Sequence, residues 1–250
     1  MKSSRKNMTE LLYLEDHYLK EFDSKISEVP DPKSLILEKT AFYPRGGGQP
    51  SDLGSIVFAD GSSHNVVESS KTERVVVHTL ESPISTPDIA SLMGSNIHGS
   101  IDWPLRYAHM RYHTALHVLS GVVFQKFASK ITGGQIYPDR ARLDFSLDDL
   151  SKDRLATIES EVNRIVNDNH EVRTYWLTTE EALQKKEMYK LSADLLPKGL
   201  QKLRIVEIVG FDAQLDGGTH VAKTSEIGEI RISKTQNKGK DNKRIEIVLP

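Results

Sequence analysis

RYHTALHVLSG, residues 111–121, is the stretch on which the reading of this chain turns. Its apolar residues recur with a helical period, so His113 and His117 lie four positions apart on one face, with their Cβ atoms about 5–6 Å apart. Roughly a hundred residues downstream, QLDGGTHV (214–221) repeats the four-residue spacing with Asp216 and His220. There the intervening Gly217, Gly218 and Thr219 suit a tight turn that sets a carboxylate beside an imidazole. Three imidazoles and one carboxylate make a four-coordinate set suited to Zn²⁺. A helical histidine pair taken alone is more often a surface or core accident, and His109, one turn earlier, is read that way, as a solvated or hydrogen-bonded helix residue. The second cluster makes a shared metal the better reading. A zincin protease is excluded by Thr114, because that helix needs glutamate directly after its first histidine.

Composition narrows the chemistry further. The 250 residues are 38% hydrophobic and 27% charged, ordinary for a soluble globular protein of one large or two modest domains. No apolar run is as long as a membrane span, and the opening MKSSRKNMTE is polar with no hydrophobic stretch behind it, so a cytoplasmic location and no membrane partner are expected. With no cysteine in the chain, disulfides, cysteine nucleophiles and thiolate ligands are excluded, and any metal must be held by His, Asp or Glu. The net charge of −2 does not announce nucleic acid, but its distribution is uneven. Arg231, Lys234, Lys238, Lys240, Lys243 and Arg244 face the single acid Asp241 across a glycine-containing stretch. A phosphate-gripping loop between two strands and a solvated hairpin tip are both consistent with that pattern.

Residues from about Leu11 to Leu80 read as short β-branched strands, among them SLILEK, GSIVF, HNVVE and RVVVHTL, with Asp60-Gly61 as a hairpin signal. Pro83, Ser85 and Pro87, with the small polar residues up to Ser100, mark a boundary region, dividing the chain into 1–95 and 96–250. Asp102 then caps a helix with Pro104 in its first turn, running through the histidines to about Lys130. A second helix is expected from Ser151 to Asn167, with Leu155, Ile158, Val162 and Ile165 on one stripe. Thr178 with Glu181 forms a capping box for a shorter one. Strands follow at ARLDFS, EVRTYWL, LRIVEIVG, GEIRISK and RIEIVLP, and this segregation of helices and strands favours an α+β fold class.

FYPRGGGQPSDLG (42–54), RYHTALHVLSG (111–121), TGGQIYPDRARLDFS (132–146) and DGGTHVAKTSEIGEI (216–230) occur in this order. Together they resemble the editing region of alanyl-tRNA synthetase and its freestanding relatives, the AlaX proteins, over most of the chain from about residue 10. The glycine-rich motif resembles the longer AlaX type. That resemblance implies an N-terminal β-barrel-like domain (1–95) followed by an α+β metal-binding editing domain (96–250). It also implies an aminoacyl-tRNA deacylase that releases serine, and glycine as a second substrate, from the 3′ adenosine ester of mischarged tRNA(Ala), so that seryl-tRNA or glycyl-tRNA is the partner. Its zinc ligands map onto His113, His117, Asp216 and His220. The family commonly has Cys where this chain has Asp216; the anionic charge is kept, but a harder ligand makes the site less selective against other divalent ions. Four protein ligands favour a metal that orients the substrate, with the catalytic group a metal-associated water. The resemblance further assigns Gly46, Gly47, Gly48, Gln49, Thr132 and Gln135 to the substrate, with Thr132 as reader of the serine hydroxyl; the clustering of cations makes Lys238, Lys240, Lys243 and Arg244 the expected RNA contacts. A non-catalytic RNA-binding module with a structural metal and a small-molecule metal hydrolase are the competing readings.

Overall fold

In the first half of the chain the burial pattern alternates with the two-residue period of half-buried strands, as in Val75–Leu80, where every second side chain is buried. The computed structural model describes residues 8–72, 75–85, 89–184 and 201–250. Arg74 and Pro87, which belong to expected segments, lie outside the described residues. Eight strands come first: β1 (Glu10–Leu11), β2 (Glu21–Asp31), β3 (Ser34–Leu37), β4 (Lys39–Thr40), β5 (Gly54–Phe58), β6 (Ser63–Thr72), β7 (Val75–Leu80) and β8 (Asn96–Ile101). Six of them close a barrel in the order β2-β3-β7-β6-β5-β8, while β1 and β4 pair in parallel. Phe22, Ile26, Leu35, Phe42, Ile56 and Ile97 are among the side chains that fill the barrel core. Asp60-Gly61 does turn the chain between β5 and β6: Gly61 has φ +85° and the Asp60 carboxylate accepts from the Ser62 amide at 2.8 Å.

Strand β8, which follows the expected division at residue 95, groups with the strands before it. Contacts divide the chain into Met1–Gly46 with Pro50–Tyr107 and Gly47–Gln49 with Ala108–Pro250. Strand β8 belongs to the first unit because it pairs with β2 on one side and β5 on the other, closing the barrel. Its sequence NIHGSI carries a weak strand signature, since Gly99 stands where a side chain is excluded: a Cβ there would meet the Phe22 ring at 2.5 Å. The same unit holds a buried ion pair. Asp52, from the glycine-rich motif, accepts from Arg106 Nε at 2.8 Å and from the Tyr43 amide, and Arg106 also donates to the carbonyls of His17 and Ala41.

The second unit is built on α1 (Trp103–Phe127), whose first residues lie in the first unit. Asp102 accepts from the Leu105 amide at 3.2 Å, as its capping position implies, and the helix ends at Phe127, where Ala128 adopts φ +52°. Next come β9 (Ile131–Ile136), β10 (Ala141–Phe145), α2 (Lys152–Asn167), β11 (Val172–Thr178), α3 (Thr179–Gln184), β12 (Lys202–Ile208), β13 (Asp212–Leu215), β14 (Arg231–Gly239) and β15 (Asn242–Val248). Ser151 caps α2, which buries Ile158, Val162 and Ile165. The Thr178–Glu181 box closes reciprocally, with the Thr178 amide donating to Glu181 at 2.8 Å and the Glu181 amide to Thr178 Oγ1 at 3.2 Å. One antiparallel sheet runs β14-β15-β10-β9 and a second β11-β12-β13. The segment TGGQI lies in the edge strand β9, which pairs antiparallel with β10.

Candidate metal centre and adjoining cavity

Helix α1 presents His113 and His117 one turn apart, their rings edge-on with centroids 5.2 Å apart. From β13 the chain turns through Asp216 to His220, whose ring lies 4.4 Å from that of His113 and 4.6 Å from that of His117. The Asp216 carboxylate divides between two imidazoles, with Oδ2 at 2.9 Å from His220 Nε2 and Oδ1 at 3.5 Å from His113 Nε2. One ligand atom from each of the four residues lies within 4.8 Å of the others, so this group could hold a metal ion. Donors about 2.0–2.2 Å from a tetrahedral ion stand about 3.3–3.6 Å apart, so the widest-set of these atoms would close by about 1 Å or more around one ion. Burial opposes the charge on Asp216, yet His113 and His220 outweigh it and hold the carboxyl well below its usual range. For His220, burial and repulsion from His113 win over the pull of Asp216. That imidazole is held well below its ordinary range, hence neutral and able to ligate.

The surroundings of the four residues set their orientation. Thr114 Oγ1 donates to the Met110 carbonyl at 2.9 Å, the usual back-bond of a helix threonine. Its one hydrogen is thereby committed, so it accepts from His220 Nδ1 at 3.2 Å and from the Val221 amide at 3.2 Å. His220 therefore carries its proton on Nδ1 and turns the Nε2 lone pair toward the group. The turn is held from β12, where buried Arg204 donates to the carbonyls of Asp216 and Gly218 at 3.2 and 3.1 Å. Within it, glycine is required at 218 for space and not for a left-handed backbone: a Cβ there would meet the His113 ring at 2.3 Å, while nothing lies within 4 Å of one at Gly217.

Beside the group opens a cavity of about 410 Å³, within the range of small-ligand sites. Leu116, Ile131, Ile136, Leu143 and Leu215 give it apolar walls, and His113, His117 and Asp216 also line it. Of the residues assigned to substrate, Gly47, Gly48 and Gln135 line the cavity. Gly48 has φ +84°, and a Cβ there would stand 2.8 Å from the Gly134 carbonyl oxygen, so the loop lies against β9 as only glycine permits. Gly46 falls in the first unit, where its carbonyl accepts from the Tyr43 hydroxyl. Thr132 is not brought to the cavity: it is exposed and donates to Asn242 Oδ1 at 3.3 Å. Two polar wall residues, Ser120 and Gln214, passed unnoticed. The Gln214 amide donates to Ser120 Oγ at 2.7 Å, and Ser120 donates to the His117 carbonyl at 3.0 Å. Only the recurrence of Ser120 seven residues after His113 on α1 hinted at the first.

The basic stretch forms the β14–β15 hairpin, and its cations divide. Lys238 and Lys240 are exposed. Lys243 is buried, its ammonium donating to the Gly239 and Lys240 carbonyls at 2.7 and 2.8 Å, and Arg244 makes a two-pronged pair with Asp144 at 2.6 and 2.8 Å. Of the expected RNA contacts, Lys243 and Arg244 thus already have partners within the hairpin and sheet.

A His/His/Asp/His group that could hold a metal ion, beside an apolar-walled cavity of small-ligand size, marks this unit as a candidate metal-dependent site. Residues 203–246 match the threonyl and alanyl tRNA synthetase second additional domain, and residues 6–105 match tRNA synthetases class II (A). The chain is 39% identical over 243 residues to the alanyl-tRNA editing protein AlaX-M of Methanosarcina acetivorans, a stretch covering 97% of this chain and 99% of that protein. It is 41% identical over 239 residues to the AlaX-M of Saccharolobus solfataricus, covering 95% and 98%. Similarity extends to the alanine–tRNA ligase of Pyrococcus furiosus, 37% over 231 residues, which are 91% of this chain and 24% of the ligase. The chain belongs to the AlaX-M family of alanyl-tRNA editing proteins.

Proposed function

We propose that this protein is a trans-editing deacylase that hydrolyses the ester joining serine, and secondarily glycine, to the 3′ adenosine of mischarged tRNA(Ala). The observation that carries the reading is the opening of the His113/His117/Asp216/His220 group onto a cavity of acyl-group size. Such an activity is needed on general grounds, because a pocket shaped for alanine rejects glycine or serine by only about a hundredfold. Zn²⁺ held by these four residues supplies Lewis-acid chemistry for an ester or a water. The chain's own contribution is binding and orientation. Apolar walls strip water from the bound acyl group, Gly47 and Gly48 let backbone approach it, and Gln135, Ser120 and Gln214 offer the polar contacts that an apolar wall lacks. Exposed Lys238 and Lys240 face solvent as candidate phosphate contacts. In this reading the barrel unit and the metal-binding unit are the two domains of a longer-type AlaX protein, with tRNA as the partner.

The test is release of labelled serine from seryl-tRNA(Ala), alongside alanyl-tRNA(Ala) and the seryl ester of adenosine. Hydrolysis of seryl-tRNA well above alanyl-tRNA, lost to a chelator and restored by zinc, is the expected outcome. Tight tRNA binding without serine release would leave an RNA-binding module with a structural metal. Equal rates on tRNA and on the small ester would leave a small-molecule hydrolase.

A further inference from the structure

Gln49 closes the glycine-rich motif and is fully buried, yet it does not line the cavity. Its Oε1 lies 3.2 Å from the Thr219 amide nitrogen and 2.8 Å from His113 Nδ1, and its Nε2 lies 2.9 Å from Thr219 Oγ1. The orientation of the amide is decided by chemistry. A backbone N–H only donates, so the atom facing Thr219 N must be the oxygen. An imidazole nitrogen 2.8 Å from that same oxygen must then carry a hydrogen. His113 thereby carries a hydrogen on Nδ1, which leaves Nε2, turned toward Asp216, as the atom that would ligate an ion. Thr114 does the same for His220 from the other side of the group.

We propose that Gln49 is a positioning residue for the metal, acting through His113, rather than a contact to the substrate. The inference concerns the same site as the proposed deacylase but needs only that the four residues bind an ion. Its steric setting agrees: a side chain at residue 218 would strike both the His113 ring and Gln49 Oε1, at 2.3 and 2.9 Å, so Gly218 keeps open the space in which the two meet. Gln49 also follows directly on Gly48, whose carbonyl accepts from the Ile136 amide at 2.8 Å. The three-residue segment Gly47–Gln49 thus ties the cavity wall to the orientation of a metal ligand.

The experiment uses the full chain and no tRNA, so it stands or falls separately from the deacylase reading. Two-bond ¹⁵N–¹H correlation spectra of the metal-free wild type should show a hydrogen on His113 Nδ1; a bare Nδ1 would overturn the proposal with no variant needed. Gln49→Met keeps the shape and removes the strong acceptor. It should shift His113 toward a tautomer mixture and weaken Zn²⁺ binding by about 10–100-fold. Gln49→Glu keeps an oxygen for His113 and the Thr219 amide, and the Thr219 hydroxyl can turn to donate to the second carboxylate oxygen, so it should recover most of that loss. Unchanged Zn²⁺ affinity and tautomer in Gln49→Met, with a fall only in deacylation, would instead make Gln49 a substrate contact.

Discussion

Each unit buries a histidine and an aspartate, and the two sets are used in opposite ways. In the barrel, His78 donates from Nδ1 to the Leu35 carbonyl at 3.2 Å and accepts at Nε2 from Thr40 Oγ1 at 2.8 Å, so both ring nitrogens are occupied by protein. Asp52 is neutralised there by Arg106. In the second unit, His113 and His220 have Nδ1 occupied, by Gln49 and Thr114, while each Nε2 points to Asp216, whose carboxylate faces imidazoles. Burial alone therefore does not distinguish a structural histidine from a ligand. What distinguishes them is the partner: both nitrogens of His78 meet neutral groups, a carbonyl and a hydroxyl, whereas in the second unit each Nε2 meets a carboxylate shared with another imidazole, an arrangement whose atoms could instead ligate an ion.

The comparison breaks most completely at the metal group. His113→Ala combined with His117→Ala should reduce bound zinc, read by elemental analysis after dialysis, to background while the circular dichroism spectrum stays native. Full occupancy in that variant would remove the contrast altogether. In the barrel, Asp52→Asn should behave as loss of a structural charge, destabilising the fold by about 3–5 kcal/mol because Arg106 is left buried and uncompensated. Urea unfolding measures this directly, and an effect below about 1 kcal/mol would mean that the pair is dispensable.

His78 offers a smaller effect with a definite sign. Burial lowers its pKa to about 4, against the pull of the Leu35 carbonyl. Below about pH 6.5 the unfolded chain takes up a proton that the folded one refuses, so stability falls as pH drops from there and levels off once the folded pKa is passed. The shift from 6.5 to about 4 corresponds to about 3 kcal/mol. His78→Leu should be less stable at neutral pH, since two partners lose their bond, but should lack this component of the acid slope. An unchanged slope between pH 6.5 and 4 would assign the acid sensitivity elsewhere. The smallest expected effect extends the rule to the hairpin. Lys238→Gln with Lys240→Gln should weaken tRNA binding by several-fold and lower its salt slope by about 0.7–0.9 per lost phosphate contact. Lys243→Met should instead lower stability and leave the slope alone; a slope change there would show that its ammonium leaves the hairpin to meet phosphate.

Much of this was legible beforehand. Helical spacing made His113 and His117 a pair, and the missing cysteines left Asp216 and His220 as the complement. Capping residues at Asp102, Ser151 and Thr178 located three helix starts, because a cap is a local hydrogen bond between near neighbours. What escaped was non-local or depended on facing. Strand β8 reads as linker in the sequence because its residues are mostly small or polar and its partners β2 and β5 lie far away in the chain. Thr132 was chosen for its neighbours in sequence, yet the strand turns it outward to Asn242. Lys243 and Arg244 look like the other cations of their stretch until the Gly239 and Lys240 carbonyls and Asp144 come within reach.

By itself, then, the sequence determined which side chains were capable of binding a metal, where most elements begin, and that the fold is α+β. Those properties follow from residue chemistry and from interactions spanning three or four positions. Only the tertiary structure decided which capable groups remain available. A valence is consumed or spared by partners dozens to hundreds of residues away, as Gln49 and Thr219 do for His113, Thr114 for His220, and Leu35 and Thr40 for His78. No local pattern encodes that pairing, because it is set by where the folded chain brings its distant parts together.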